Sequence, residues 1–191
     1  MIPRPQRCFL SILVWVLLAC VATLARAGDS EAEYTLQLGI KMFPTLIGGN
    51  LDLDSQRNSA GKLLLLVVYQ DNLQAGEEVV KKMNNSIKVI YKSPVQIELS
   101  DVAGCKEFDS RSVAGIFLAE QLDPAHRAEI IRFGIKKKSV VFSSFKGDVQ
   151  QGIMAGLHVA TQVQPALNLA ALRETGMRMN QLFFKVAKTY E

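Results

Sequence analysis

Leu63 to Val68 reads LLLLVV, six apolar residues in a row with no polar position among them. Successive side chains of a strand point to opposite faces, so a strand of this composition is apolar on both and leaves neither to water. The run is short, bounded by Gly61 before it and Asp71 after it. A strand covered on both faces belongs to a parallel sheet with helices on each side.

The segments that follow fit this demand. Asn72 to Asn84 sets Leu73, Val79, Val80 and Met83 on one helical face, and Asn84-Asn85 ends it. Ile87 to Tyr91 reads as the next strand, with Val95 to Leu99 as a further short one. Strand, helix and strand at this spacing form a βαβ unit. Ser112 to Ala119 (SVAGIFLA) is a second buried run. Asp123-Pro124 then opens a helix, Asp as N-cap and Pro in the first turn. That helix, to about Ile135, buries Ile130, Ile131 and Phe133 and leads into the strand Val140 to Phe142. The alternation predicts an α/β fold: a mostly parallel sheet with helices on both faces. Ile153 to Ala160 and Val163 to Leu167 read as a closing hairpin, and Asn168 caps a short helix ending at Gly176. Asn180 to Tyr190 is expected to be a last amphipathic helix with Leu182, Phe183, Val186 and Ala187 inward. Upstream, Glu31 to Ile40 suits a first helix followed by Pro44.

Residues 1–27 carry an address instead of a fold. Arg4 and Arg7 precede the apolar core Phe9 to Leu18, and Ala25-Arg26-Ala27 is a small-x-small cleavage site before Gly28. An uncleaved anchor over Cys8 to Leu24, or lipidation of Cys20 within Leu17-Leu18-Ala19-Cys20, are the rival readings. Cleavage makes residues 28–191 the mature chain, 164 residues and one domain by size. It also changes the charge. Arg4, Arg7 and Arg26 are three of 22 basic residues and no acid precedes Asp29, leaving 19 basic against 18 acidic, a net of +1. Nucleic acid demands a clustered basic face. The one basic run, Lys136-Lys137-Lys138, sits at a helix end where lysines are ordinary, so no nucleic-acid partner is expected. Only Cys105 remains after cleavage, so no intrachain disulfide forms; it reads as a small buried hydrophobe, with a reactive thiol or an intermolecular link as the rival readings.

The catalytic vocabulary is thin. The sequence has no G-x-S-x-G elbow, no phosphate-binding glycine loop with its lysine, no H-E-x-x-H and no paired cysteines. Asp52 and Asp54 lack the rest of a calcium loop. His126 and His158 have no sequence neighbours that complete a metal site. No enzyme, metal or cofactor is therefore expected. The candidate site is the loop after the strand Val140 to Phe142, because strand ends facing such loops are where α/β proteins bind. Its polar residues Ser143, Ser144, Lys146 and Asp148, with Phe145 among them, suit hydrogen bonding to a ligand or partner, or the turn itself.

The last part of the chain carries a family resemblance. Val140 to Phe142, Gly152-Ile153-Met154-Ala155-Gly156, Asn168-Leu169, Leu172-Arg173, Gly176 and Leu182 to Lys188 together resemble the C-terminal half of the YfiR-like family of periplasmic proteins. The upstream half agrees in outline, from about residue 32. Pro165-Ala166-Leu167 and Asn180-Gln181 depart from the family's Phe and serine pair, and lone Cys105 departs from its disulfides. The resemblance implies a single three-layer α/β/α domain like one lobe of a solute-binding protein. It also implies a non-enzymatic regulator in the periplasm that docks on the outward-facing domain of an inner-membrane signalling protein such as a diguanylate cyclase, damping cyclic-di-GMP signalling. A homodimer is compatible with this reading. The alternative is a periplasmic small-molecule binding module related to transport.

Overall fold

The computed structural model describes residues 31–191. The expected signal peptide, with Cys8 and Cys20, lies outside the described residues. The first helix, α1, covers residues 31–48. Its opening turns, 31–37, are bound among themselves: Thr35 Oγ1 donates to the Glu31 carbonyl (2.8 Å) and Gln37 Nε2 to Glu33 Oε1 (2.8 Å). Pro44 lies inside α1, where the sequence reading placed it beyond the helix. A proline removes one intrahelical bond and kinks a helix, but Phe43, Leu46 and Ile47 around it are fully buried. Tertiary packing keeps the helix going.

Residues 38–191 contain one eight-stranded sheet. Its strands are β1 (Leu63–Tyr69), β2 (Val89–Ile90), β3 (Ser93–Asp101), β4 (Gly115–Leu118), β5 (Val140–Ser143), β6 (Ala155–Val159), β7 (Val163–Asn168) and β8 (Lys188–Tyr190). The order is β2-β3-β1-β4-β5-β6-β7-β8. Strands β3, β1, β4, β5 and β6 are parallel; β2 and β7 run against their neighbours β3 and β6, and β8 is parallel to β7. Four α-helices follow α1 among the described residues: α2 (Leu73–Ser86), α3 (Pro124–Lys137), α4 (Leu169–Thr175) and α5 (Gln181–Val186).

The six apolar residues of β1 are all buried, as their pattern requires. The register places Leu65 beside Gly115, Val67 beside Phe117, and Phe117 beside Phe142. Side chains in register share a face, so Phe117 and Phe142 stand together with ring centroids 5.4 Å apart. Phe43 of α1 meets both, at 5.4 and 5.6 Å. On this same face Gly76 of α2 lies against Leu99 and Tyr69. The opposite face carries α3, with α4 packed beside it. A Cβ on Gly134 would fall 2.1 Å from Val141 Cγ2, so only glycine lets α3 come this close to β5. The sheet is thus mostly parallel and flanked by helices on both faces.

Two elements differ from the sequence reading. The partner of β1 is the nine-residue β3, not Ile87 to Tyr91; β2 is a two-residue antiparallel edge folded onto β3. The turn between them holds Tyr91 (φ 43°) and Lys92 (φ 68°) in left-handed conformation. Paired positive φ is the mark of a tight hairpin turn, usually announced by Asn or Gly. Here the residues do not announce it. At the C-terminus the expected helix stops at Val186, and residues 188–190 become β8, Lys188 pairing with Ala166. Leu182 (64% exposed) and Val186 (59%) point to water, whereas Phe183 is half-buried near Gly49.

Cys105 is buried, and burial pushes its thiol from the usual 9.0 to about 11. The thiolate is the reactive form. Native protein at about pH 8 should therefore react with a thiol reagent roughly 100-fold more slowly than protein unfolded in guanidinium. Equal rates in the two states would show that Cys105 is accessible.

Candidate functional site

Strand order reverses direction at β1, which has β3 on one side and β4 on the other. In α/β sheets the crevice beyond the carboxyl ends of strands at such a point is the usual binding place. The loops after β1, β4 and β5 meet at this edge.

The loop after β1 leads into α2, whose first N–H groups lack helical partners. Asn72 caps it, accepting from the Ala75 N–H (3.0 Å). Glu120, two residues past β4, holds the loop leading into the helix: its Oε1 accepts from the N–H groups of Gln70 (2.7 Å), Asp71 (2.9 Å) and Asn72 (2.8 Å). Burial alone would raise this carboxyl, but the donors of Asn72, Gln70 and Asp71 outweigh it and hold it below its ordinary 4.5. A depressed folded-state pKa means the contribution is complete above the ordinary value and is lost as pH falls through the folded one. Wild-type stability should therefore fall as pH drops below about 4.5, with part of that slope missing in Glu120→Gln. At neutral pH Glu120→Ala should cost about 2 kcal/mol, since hydrogen bonds to a charged acceptor are the stronger kind. Identical pH profiles for wild type and Glu120→Gln in urea titrations would contradict this.

The same edge is tied to α3. Gln70 Oε1 accepts from the Asp123 N–H (3.0 Å), and Asp123 caps α3 by accepting from Ala125 and His126 N–H (2.8 and 2.9 Å). His126 Nδ1 lies 2.6 Å from Asp123 Oδ2. The hydrogen bond to Asp123 raises the His126 pKa; the His126 N–H and ring lower that of Asp123.

Of the five expected site residues, the structure turns three inward. Ser143 and Asp148 are fully buried, and the Ser143 hydroxyl donates to Asp148 Oδ2 (2.6 Å) while accepting from the Phe145 N–H (3.0 Å). Gln121 Nε2 donates to Asp148 Oδ1 (3.4 Å), and the buried Arg127 guanidinium lies 3.7 Å from the same oxygen. Arg127 also donates to Gln151 Oε1 and to the Leu122 carbonyl. Ser144 is buried beneath α1, where a Cβ on Gly39 would fall 2.1 Å from its Oγ. Among the described residues that Oγ is the one buried side-chain N or O atom without a hydrogen-bond partner. Phe145 is half-buried and Lys146 exposed.

Glu120, Gln121 and Arg127 were not anticipated from the sequence as part of this edge. Arg127 had a signal: with Ile130, Ile131 and Gly134 it stands at i, i+3, i+4 and i+7, the inward stripe of α3. His158 lies in β6, where its Nδ1 pairs with the Tyr190 hydroxyl at 3.2 Å. Asp52 is bound by Arg178 and Asp54 by Arg57. No group of three or more His, Cys, Asp or Glu residues able to hold a metal occurs among the described residues. None of their helices is long and apolar enough to cross a membrane.

Order and connection define a doubly wound α/β domain with an antiparallel closing hairpin. No family model and no curated protein sequence matches the chain. Among solved structures it is similar to an ABC domain from Streptococcus pneumoniae in complex with L-Trp, with a TM-score of 0.52 and 10% identity. The match covers 79% of this chain and 61% of that one, so this chain spans about three fifths of the neighbour's length. A conserved domain protein from Vibrio cholerae O1 biovar El Tor matches with a TM-score of 0.47 and 13% identity, over 72% of this chain and 57% of that one. The first likeness supports the α/β fold.

Proposed function

We propose that this chain is an exported, non-enzymatic binding domain that docks on the outward-facing domain of an inner-membrane signalling protein and modulates its output. The observation that carries the reading is the state of the sheet's carboxyl edge. Glu120 is bound to the β1–α2 backbone, and Ser143, Gln121 and Arg127 converge on Asp148. Side chains engaged with one another position loops well and are poorly placed to attack, protonate or polarise a substrate. A protein-binding role also suits the apolar side chains that α5 shows to solvent, Leu182, Phe184 and Val186. The diguanylate cyclase is the partner class implied by the YfiR-like resemblance.

The test is crosslinking of the tagged mature domain to the host's own membranes, read by mass spectrometry. Recovery of a signalling protein with a periplasmic domain, reduced for a Leu182→Glu, Val186→Glu variant, is the expected result. Recovery of transporter subunits alone, unaffected by that variant, overturns the reading.

The second reading is a small-molecule binding module, favoured by the likeness to the L-Trp-bound ABC domain. Native mass spectrometry of the freshly purified domain decides it: a stoichiometric bound solute supports the module, and a bare chain supports the regulator.

A further inference from the structure

At the opposite end of the sheet, by the amino-terminal ends of β4 and β5, lies a cavity of about 150 Å³ whose lining includes Asn50, Gln56, Ser112, Lys137 and Lys138. Its wall is held by a chain of amides: Asn50 Nδ2 donates to Gln56 Oε1 (3.4 Å) and Gln56 Nε2 to the Lys138 carbonyl (2.5 Å). Two lysines face a space with one carboxylate, Asp52, and Arg178 already binds that carboxylate with two N–H groups.

Lys138 is the unusual member. It ends α3 with φ 52° and ψ 41°, a left-handed conformation that glycine takes at far lower cost. A backbone outlier of this type is where a functional reason is worth seeking. Among the described residues its ammonium makes no hydrogen bond or ion pair, though it stands near enough to Asp52 to help lower that carboxyl. Lys137 Nζ donates to the carbonyls of Asp109 (2.6 Å) and Arg111 (2.9 Å), which leaves one of its three N–H groups. Lys137 is partly desolvated, and burial lowers its pKa. The last carbonyls of α3 repel an anion, an effect reduced at two of them: Lys138 N–H donates to Ile135 O (3.1 Å) and Ser139 N–H to Gly134 O (2.9 Å).

We infer that this cavity binds a small oxyanion of the phosphate or sulfate class, held by the ammonium groups of Lys137 and Lys138 and the hydroxyl of Ser112. The site is separate from the carboxyl edge and does not depend on the role proposed for it. The anion neutralises Lys138, whose nearest carboxylate is already bound by Arg178, and it gives Lys138 a reason to occupy a glycine position.

The experiment is thermal unfolding of the mature chain with inorganic phosphate in the low millimolar range, against chloride at matched ionic strength. Specific binding raises the melting temperature saturably, whereas exclusion of phosphate from the protein surface acts on every variant alike. Wild type should gain several degrees, and so should Lys136→Gln, because Lys136 pairs with Asp109 outside the cavity lining. Lys138→Gln should lose the gain. Lys138→Gly should lose it too, while melting above wild type without phosphate because glycine relaxes the left-handed backbone. Equal melting in phosphate and chloride overturns the site. So does a Lys138→Gln variant that follows wild type, or a Lys136→Gln variant that loses the response.

Discussion

Asp148→Ala should lower the unfolding free energy by about 3–5 kcal/mol, as for buried ion pairs broken from one side. Asp148 has no solvent exposure, and three groups converge on it: the Ser143 hydroxyl, the Gln121 amide and the buried Arg127 guanidinium. Truncation leaves Ser143 without its acceptor and Arg127 as a buried charge whose partners among the described residues are neutral, Gln151 and the Leu122 carbonyl. The cost arises from those stranded groups more than from any net strength of the pair. Asp148→Asn keeps an oxygen for Ser143 and should lose less, about 2 kcal/mol. An Arg127→Met, Asp148→Ala double variant should be less destabilised than the two single changes added, with a coupling of at least ~1 kcal/mol. Urea unfolding followed by circular dichroism measures all four. An Asp148→Ala protein within ~1 kcal/mol of wild type would mean that water reaches the site and replaces the carboxylate.

Phe117→Ala should be of similar size, about 3–5 kcal/mol, for a different reason. Phe117 is completely buried, stacked on Phe142 and met edge-on by Phe43. Removing the ring takes away its transfer energy and leaves a cavity between α1 and the sheet, because the neighbours relax only in part. For a domain of this size such a loss lowers the melting temperature by roughly 10 °C. Phe117→Leu refills most of the space and should cost only about 1–1.5 kcal/mol. If Phe117→Ala melts within a few degrees of wild type, α1 is not docked on β4 and β5 as described.

The two substitutions also mark where the sequence is informative. The aromatic cluster was legible in kind: SVAGIFLA and Val140 to Phe142 carry the continuous apolar character that only a doubly covered strand needs. The buried network was not. Ser143 and Asp148 look from the sequence like groups available to a ligand, and only folding shows that Arg127, 21 positions before Asp148, arrives to meet them. Charge normally signals exposure, so a buried arginine in α3 reads as surface until its helical phase is considered. Glu120 is hidden for the same reason, because its partners are backbone N–H groups, which have no side-chain signature. At the C-terminus the pattern misled in part. Of the expected inward face Phe183 and Ala187 are half-buried, but α5 ends within two turns and Leu182 and Val186 turn to solvent.

The last strand has a consequence for how the molecule is assembled. Until residues 188–190 are in place, β7 presents an unpaired row of backbone donors and acceptors, the type of surface that recruits strands from other chains. Pairing Ala166 with Lys188, Leu167 with Thr189 and Asn168 with Tyr190 covers that row. Three residues thus stand between β7 and the strands of other molecules, and loss of their pairing would turn a closed flank of the sheet into a site of misassociation.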